Sequence, residues 1–173
     1  MCSLASTELT LKPPCSQDKS NKVGQATSWR QLAEFEILEH VSDVYVRARG
    51  KDLMDALVGL AMGHVSVLIR NPESVELRKE AEIDIEAKDI EEAVYLWLGE
   101  LIYLFDTRGF LLGEFSGEVV QGCCKVRVRG IAKGDAYDPS RHIPGTHVKA
   151  VTYHDLKVEA LEGSTILTVL LDI

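Results

Sequence analysis

Hydrophobic residues recur along this chain with two different periods, which together predict an ordered series of strands and helices. Alternating stretches, typical of half-buried strands, lie at 34–38, 44–49, 77–85, 110–118, 122–130, 148–158 and 164–171. Helical spacing occurs at 53–61 and, more strongly, at 90–105. A loop that contains Pro and Gly is expected from about residue 133 to residue 146. The predicted order is β-β-α-β-α-β-β-β-β. Strands outnumber helices and mostly follow one another directly, so the pattern predicts an α+β domain with two helices packed on mainly antiparallel sheets.

The second helical stretch carries the clearest core signal. Trp97 lies in the middle of its apolar stripe, so we expect the indole to be buried. Gly109 follows the stripe and is placed where a helix commonly ends in a left-handed residue. Asp52 and Asp55 lie at the start of the first helix, where the helix dipole favours negative charge.

Residues 1–33 differ in composition from the rest of the chain. They are rich in Ser, Thr and other polar residues, include Pro13 and Pro14, and contain more basic than acidic residues. Such a segment has little apolar surface to offset the entropy lost on ordering. We therefore expect residues 1–33 to be a disordered or non-core extension, and residues 34–173 to form the folded domain.

Composition and charge exclude several classes of protein. The net charge of −8 gives the whole chain no basic surface for holding a nucleic-acid backbone by itself. No apolar run reaches the roughly 18 residues that span a bilayer, so no membrane partner is expected. The four cysteines have neither zinc-finger spacing nor a C-x-x-C pair. Reduced thiols in a cytoplasmic protein are the simplest interpretation.

Two carboxylates at strand ends are candidates for binding a hard cation. Asp43 begins a predicted strand, where it can either present oxygen to a ligand or accept hydrogen bonds from turn amides. Asp172 precedes Ile173, and a domain that ends on a core strand places its α-carboxylate beside Asp172. Oxygen ligands without a thiolate suit Ca²⁺ or Mg²⁺ rather than zinc. A solvated terminus is the alternative.

Two further segments each allow a structural and a functional interpretation. The loop 142–149 contains Pro-Gly, which predicts a turn before a strand, but the same loop could contact a partner. Lys125, Arg127 and Arg129 share one face of a predicted strand. They could touch RNA phosphate, although a solvated face is the favoured interpretation. No phosphate-binding loop and no nucleophile motif is present, which disfavours catalysis.

Four blocks of the sequence resemble the archease family. They are EFEILEHVSDVYVRARGKDLMDAL, EEAVYLWLGELIYLFD, HIPGTHVKAVTYHDLKV and the final LLDI. They occur in family order and with family-like spacing from residue 34 to residue 173. The resemblance implies a compact α+β fold and a non-catalytic role, as an accessory factor of the GTP-dependent, RtcB-type RNA ligase of tRNA splicing. The tail before residue 34 is not covered.

In that family, the accessory factor promotes guanylylation of the ligase, supports its turnover and can broaden its nucleotide use. Contact with tRNA would be indirect, through the ligase. The family's metal site uses the Asp of an H-x-x-D segment and the last two residues of the chain. By position these are Asp43, Asp172 and Ile173, and Ca²⁺ is the expected cation.

Two departures from the family pattern affect these expectations. The family commonly has H-T-A-D, whereas Val41 and Ser42 precede Asp43 here, so the hydrogen bonding of that loop is expected to differ. His147 stands where the family commonly has Glu, which would change any ligase contact made there.

Two other functions compete with the accessory role. One is a metal-dependent hydrolase or nucleic-acid modifying enzyme that uses Asp43 and Asp172 with His40 or His154 as acid or base. The other is a chaperone-like module without a bound metal. Turnover of RNA or nucleotide by the purified protein alone would favour the enzyme.

Overall fold

The structure is a computed structural model that describes residues 19–20, 27–28, 34–39 and 43–173. Its strands are β1 (Lys19–Ser20), β2 (Thr27–Ser28), β3 (Glu34–Glu39), β4 (Asp43–Gly50), β5 (Lys79–Ala87), β6 (Phe110–Gln121), β7 (Val126–Ala136), β8 (Ala150–Leu161) and β9 (Ser164–Asp172). Its helices are α1 (Leu53–Leu68), α2 (Ile90–Arg108) and a short 3-10 helix at Pro72–Ser74.

The strands form two sheets, and every pair of neighbours is antiparallel. One sheet has the order β1-β6-β7-β5, with β2 also paired to β6, and the other has the order β3-β4-β9-β8. The predicted α+β class and the order of elements from residue 34 onward are confirmed. The expectation for residues 1–33 concerns residues that, apart from β1 and β2, lie outside the described part of the chain.

The strand β7 is displaced from its predicted position. The residues 122–125 form a turn closed by a 2.8 Å hydrogen bond from the Gly122 amide to the Lys125 carbonyl, so β7 begins later than predicted. It also continues through residues 133–136, which were predicted to be loop. The Pro and Gly content of 133–146 suggested a loop, but residues 133–134 pair with both β5 and β6, and residues 135–136 pair with β6.

The helix ends follow local rules that the sequence makes visible. Asp52 is the N-cap of α1, since its Oδ1 accepts a hydrogen bond of 2.9 Å from the Asp55 amide. Asp55 in turn accepts a 3.0 Å hydrogen bond from the Lys51 amide. Gly109 ends α2 with a φ of 61° and donates a 2.7 Å hydrogen bond to the Phe105 carbonyl. The predicted glycine cap is therefore confirmed.

The core lies where the two helices pack against both sheets. α1 contacts β3, β4, β9 and β6, while α2 contacts β5, β6, β7 and β8. Trp97 of α2 is fully buried, packs edge-on against Phe115 at a centroid distance of 4.8 Å, and donates a 2.9 Å hydrogen bond to the Leu57 carbonyl of α1. The predicted burial of Trp97 is confirmed.

One expectation about the cysteines is wrong. Cys123 is disulfide-bonded, whereas its neighbour Cys124 is a free, exposed thiol. Adjacent residues at a turn point in different directions, which allows the two thiols to differ in this way. Within the described residues, none of the helices has the length and apolar character needed to cross a membrane.

Candidate metal-binding site

The two carboxylates singled out in the sequence lie opposite one another. β4 begins at Asp43 and β9 ends at Asp172, and because the strands are antiparallel these two residues are register partners. Directly opposed residues project from the same face of a sheet. The fold thus brings together two residues from opposite ends of the domain sequence.

Each carboxylate is anchored by a buried neighbour. Val44 and Leu171 are themselves register partners and belong to the core, so the strand ends are fixed by packing. Asp43 is half-buried and Asp172 is exposed. Like charges that face each other across two strands repel, and a cation between them would relieve that repulsion.

Lys149 is a third feature of this strand end, and sequence reasoning missed it. Its amide donates a 2.9 Å hydrogen bond to the Asp172 carbonyl, and its Nζ donates one of 2.8 Å to the main-chain oxygen of Ile173. It lies just before β8, in which Ala150 pairs with Asp172. The ammonium therefore places a positive charge beside the last residue.

The available donors fit a hard cation. In the described ranges, no group of three or more His, Cys, Asp or Glu side chains is arranged to hold a metal ion. The predicted set requires only the two side-chain carboxylates of Asp43 and Asp172, together with the carboxylate of Ile173. All of these donors are oxygens, which suits Ca²⁺ or Mg²⁺. Metal binding by these three residues stays a prediction, and His40 of the same segment lies outside the described residues.

The loop at 142–149 closes the end of α1. The amides of Gly145 and Thr146 donate hydrogen bonds of 2.8 and 2.7 Å to the carbonyls of Leu68 and Val67. These carbonyls have no partner within the helix. A Cβ at Gly145 would collide with the Val67 carbonyl oxygen, so only glycine fits. The segment is therefore structural, but the predicted turn at Pro144-Gly145 is wrong, because Pro144 forms an isolated antiparallel bridge with Ile69. The bridge and the hydrogen bonds to α1 make the loop a rigid wall.

His147, which stands where the family commonly has Glu, points outward and is paired with Asp106. Its Nε2 lies 2.9 Å from Oδ1 of Asp106 on α2. Behind this pair His64 of α1 is buried, and its Nε2 has no hydrogen-bond partner. Burial lowers the pKa of His64 to about 4, opposed by the nearby negative charge of Asp106. Sequence reasoning did not single out His64, because a histidine on an apolar helix face carries no signal of its own.

The cationic stripe, with Arg127 and Arg129 on β7 and Lys125 just before it, is neutralised by carboxylates on the flanking strands. Lys125 Nζ lies 3.0 Å from Glu86 Oε2. Arg127 donates a 2.7 Å hydrogen bond from Nε to Asp84, and this bond lowers the pKa of Asp84. Arg129 is paired in the same way with Glu118 of β6. These cations therefore form a ladder of cross-strand ion pairs rather than a free phosphate-binding face.

His154, a candidate acid or base, lies in an irregular part of β8. The register of β8 against β9 shifts between Thr152 and Lys157, and Asp155 within this bulge has a φ of 55°. Tyr45 donates a 2.8 Å hydrogen bond to Oδ2 of Asp155, which lowers the pKa of that carboxyl. His154 is highly exposed, with Nε2 3.6 Å from the same oxygen. Its ring is held by little besides this pair.

Comparison with known proteins identifies relatives over nearly the whole described domain. The archease of Pyrococcus furiosus is 36% identical over 130 residues, covering 75% of this chain and 91% of that protein. The archease of Methanopyrus kandleri is 34% identical over 139 residues, covering 80% and 99%.

Solved structures show the same fold. The solution structure of protein 1598 from Methanobacterium thermoautotrophicum matches with a TM-score of 0.70 and 27% identity, covering 80% of this chain and 98% of that one. The crystal structure of an archease from Thermotoga maritima, described as a possible chaperone, matches with a TM-score of 0.52 and 20% identity, covering 79% and 94%. The sequence model of the Archease protein family (MTH1598/TM1083) matches residues 35–173. This chain belongs to the archease family.

Proposed function

We propose that this chain is a non-catalytic accessory factor that activates an RtcB-type RNA ligase by promoting its guanylylation and turnover. The observation that carries the proposal is the opposed pair Asp43 and Asp172, at the positions expected for the family's metal site. Membership of the archease family supports a role in assisting another protein. In this proposal tRNA is reached only through the ligase, and both proteins act in the cytoplasm.

The carboxylates would act by holding a divalent cation at the strand end. Asp43, Asp172 and Ile173 are the proposed ligands, and Ca²⁺ is the proposed cation, which would supply positive charge and coordination sites for oxygen ligands. Because the backbones of Asp43 and Asp172 are fixed by the pairing of β4 with β9, the two carboxylates are held on one face of the sheet before any partner binds. Positioning of this kind reduces the entropic cost of association.

The distribution of charge supports a protein partner rather than free RNA. The chain is acidic overall, and the cations of the β7 stripe are already paired. A surface of this kind is poorly suited to binding a polyanion directly. Binding to the ligase, with the ligase holding the RNA, is consistent with both features. The description of the Thermotoga maritima relative as a possible chaperone also fits a protein that assists another.

The proposal is tested by measuring guanylylation of the purified ligase with labelled GTP, with and without this protein. We expect a faster rate and more turnovers per ligase when the protein is present with Ca²⁺. Incubation of the protein alone with RNA and nucleotide is the control for the competing enzyme hypothesis. Equal guanylylation in both arms, or turnover by the protein alone, would contradict the proposal.

A further inference from the structure

A second candidate site adjoins the strand end, in a cavity of about 440 Å³. It is bounded by the end of α1, the loop at 144–146 and the edge of the sheet that contains β4. Its apolar wall consists of Ile37, Val44, Val67 and Ile173, and its polar lining includes Ser66, Arg70 and Thr146. The main-chain oxygen of Ile173 accepts a 2.8 Å hydrogen bond from Lys149 Nζ, which places a positive charge beside it. The volume lies within the range of about 300–1,000 Å³ that small-molecule sites occupy.

The cavity lies on the opposite side of β4 from Asp43 and Asp172, although Ile173, the third proposed metal ligand, is part of its lining. Successive residues of a strand point to opposite faces, so Val44, which lines the cavity, and Asp43 project to opposite sides of β4. Asp172 is the register partner of Asp43 and shares its face. The negative charges of the two carboxylates therefore lie across the sheet from the cavity.

The walls of the cavity are fixed before any ligand binds. Gly145 and Thr146 are held to the end of α1 by main-chain hydrogen bonds. The Arg70 amide donates a 2.9 Å hydrogen bond to the Ile143 carbonyl, which fixes the backbone from which the guanidinium extends. A ligand that binds a preformed cavity loses less binding free energy to the ordering of the protein.

Arg70 is the only cationic side chain in the lining. The residue is exposed, and its guanidinium makes no ion pair or side-chain hydrogen bond with the part of the chain that the structure describes. In this it differs from Arg127 and Arg129, each of which is paired with a carboxylate. A planar guanidinium with five donors matches the oxygens of a phosphate group. The hydroxyl groups of Ser66 and Thr146 can donate further hydrogen bonds to the same group.

We propose that this cavity binds a small organic phosphate monoester, with the phosphate group on Arg70 and the organic part against Ile37, Val44 and Val67. A phosphate is favoured over a carboxylate because its additional oxygens can accept from the two hydroxyls as well as from the guanidinium. A small ligand is favoured over a polynucleotide because the net charge of −8 repels extended polyanions. The proposed contacts with the ligand involve neither Asp43 nor Asp172.

The test is calorimetric titration of the full chain with phenyl phosphate, inorganic phosphate and benzoate. Phenyl phosphate combines a phosphate with an apolar body. Inorganic phosphate lacks the apolar body, and benzoate has a carboxylate in place of the phosphate. We expect phenyl phosphate to bind most tightly. We expect Arg70→Gln to weaken it by about tenfold or more, because a charge-assisted hydrogen bond is lost. Thr146→Val should weaken it less.

The matched control is Arg49→Gln, which removes an exposed arginine from β4 outside the cavity lining. It should leave phenyl phosphate binding unchanged. Absence of binding by the parent, equal loss in the Arg49 and Arg70 variants, or benzoate binding as tight as phenyl phosphate would overturn the proposal. Ligase guanylylation measured on the same preparations separates the two proposals, since activation by the parent protein would survive failure of the phosphate site.

Discussion

Asp43 and Asp172 are directly opposed across the pair β4 and β9. The first residue of β4 therefore lies beside the last residue of β9, on the same face of the sheet. Neither residue contributes to the core, whereas the register partners that follow them, Val44 and Leu171, are buried. The strand ends can therefore change their charges without losing the packing that holds them together.

The first prediction is that the carboxylates bind a cation as one unit. Asp43→Asn and Asp172→Asn should each remove most of the Ca²⁺ affinity seen in calorimetric titration, as should one residue added after Ile173. The double variant should be little worse than either single variant, because a shared site is lost only once. Thermal unfolding without Ca²⁺ should change little.

A carboxylate outside the site provides the control for this series. Glu82 is exposed on β5 of the other sheet, and Glu82→Gln should leave Ca²⁺ affinity at the parent value. Additive losses in the double variant would show that Asp43 and Asp172 act independently, contrary to the prediction.

The second prediction concerns Trp97. Replacement by Ala should lower the free energy of unfolding by about 3–5 kcal/mol, because a cavity forms against Phe115 and the apolar contacts are lost. The Leu57 carbonyl would also lose its indole donor. The measurement is denaturant unfolding at equilibrium, with Trp97→Phe as an intermediate case. A loss below about 1 kcal/mol for the Ala variant would contradict the burial of this side chain.

The third prediction is a loss of stability in mild acid that depends on His64. Burial lowers its pKa from 6.5 to about 4, so the unfolded chain binds more protons at this residue between those pH values. The free energy of unfolding should therefore fall as the pH drops from about 6.5 to about 4. The contribution lost is about 3 kcal/mol. His64→Leu should abolish this component.

The test compares the free energy of unfolding of the parent and of His64→Leu at pH 7 and pH 4. Other titrating groups cancel in the difference between the two proteins. Parallel profiles for the parent and the His64 variant would mean that His64 is protonated as easily in the folded state as in the unfolded one.

The fourth prediction concerns the backbone of the β8 bulge. Asp155 has a φ of 55°, a left-handed conformation that Asn and Gly tolerate better than Ala. It also accepts the hydrogen bond from Tyr45. Asp155→Ala should lower the melting temperature more than Asp155→Asn, which retains both a suitable side chain and an acceptor. Equal melting temperatures for the two variants would show that neither the conformation nor the hydrogen bond matters to stability.

Sequence pattern predicted the elements of the fold well because their signals are local. The apolar stripe around Trp97, the acidic residues Asp52 and Asp55 at the start of α1, and the cap at Gly109 each depend on residues within a few positions of one another. The same local reasoning failed for 133–136, which belongs to the segment whose Pro and Gly content suggested a loop. There the pairing of the main chain with β6, and at 133–134 also with β5, determines the structure, and side-chain composition does not reveal that pairing.

The surroundings of the candidate site depend on register, which the sequence does not reveal. Leu161 of β8 pairs with Ser164 of β9 at the turn between the two strands. If the pairing continued from there without a bulge, Tyr153 would lie opposite Asp172. The bulge in β8 shifts that register, so Ala150 pairs with Asp172 instead and brings Lys149 to the strand end. The pair of Asp43 with Asp172 was expected only from the family resemblance, since two distant strand ends share no local signal.

The most direct test of the proposed function is the rate of ligase guanylylation in the presence of Asp43→Asn, Asp172→Asn or Glu82→Gln, at saturating Ca²⁺ and equal folded concentration. The account predicts parent-like activation by the Glu82 variant and loss of most activation by the two strand-end variants. Full activation by Asp43→Asn, after its Ca²⁺ affinity has been shown to be lost, would contradict the account because it would separate metal binding from function.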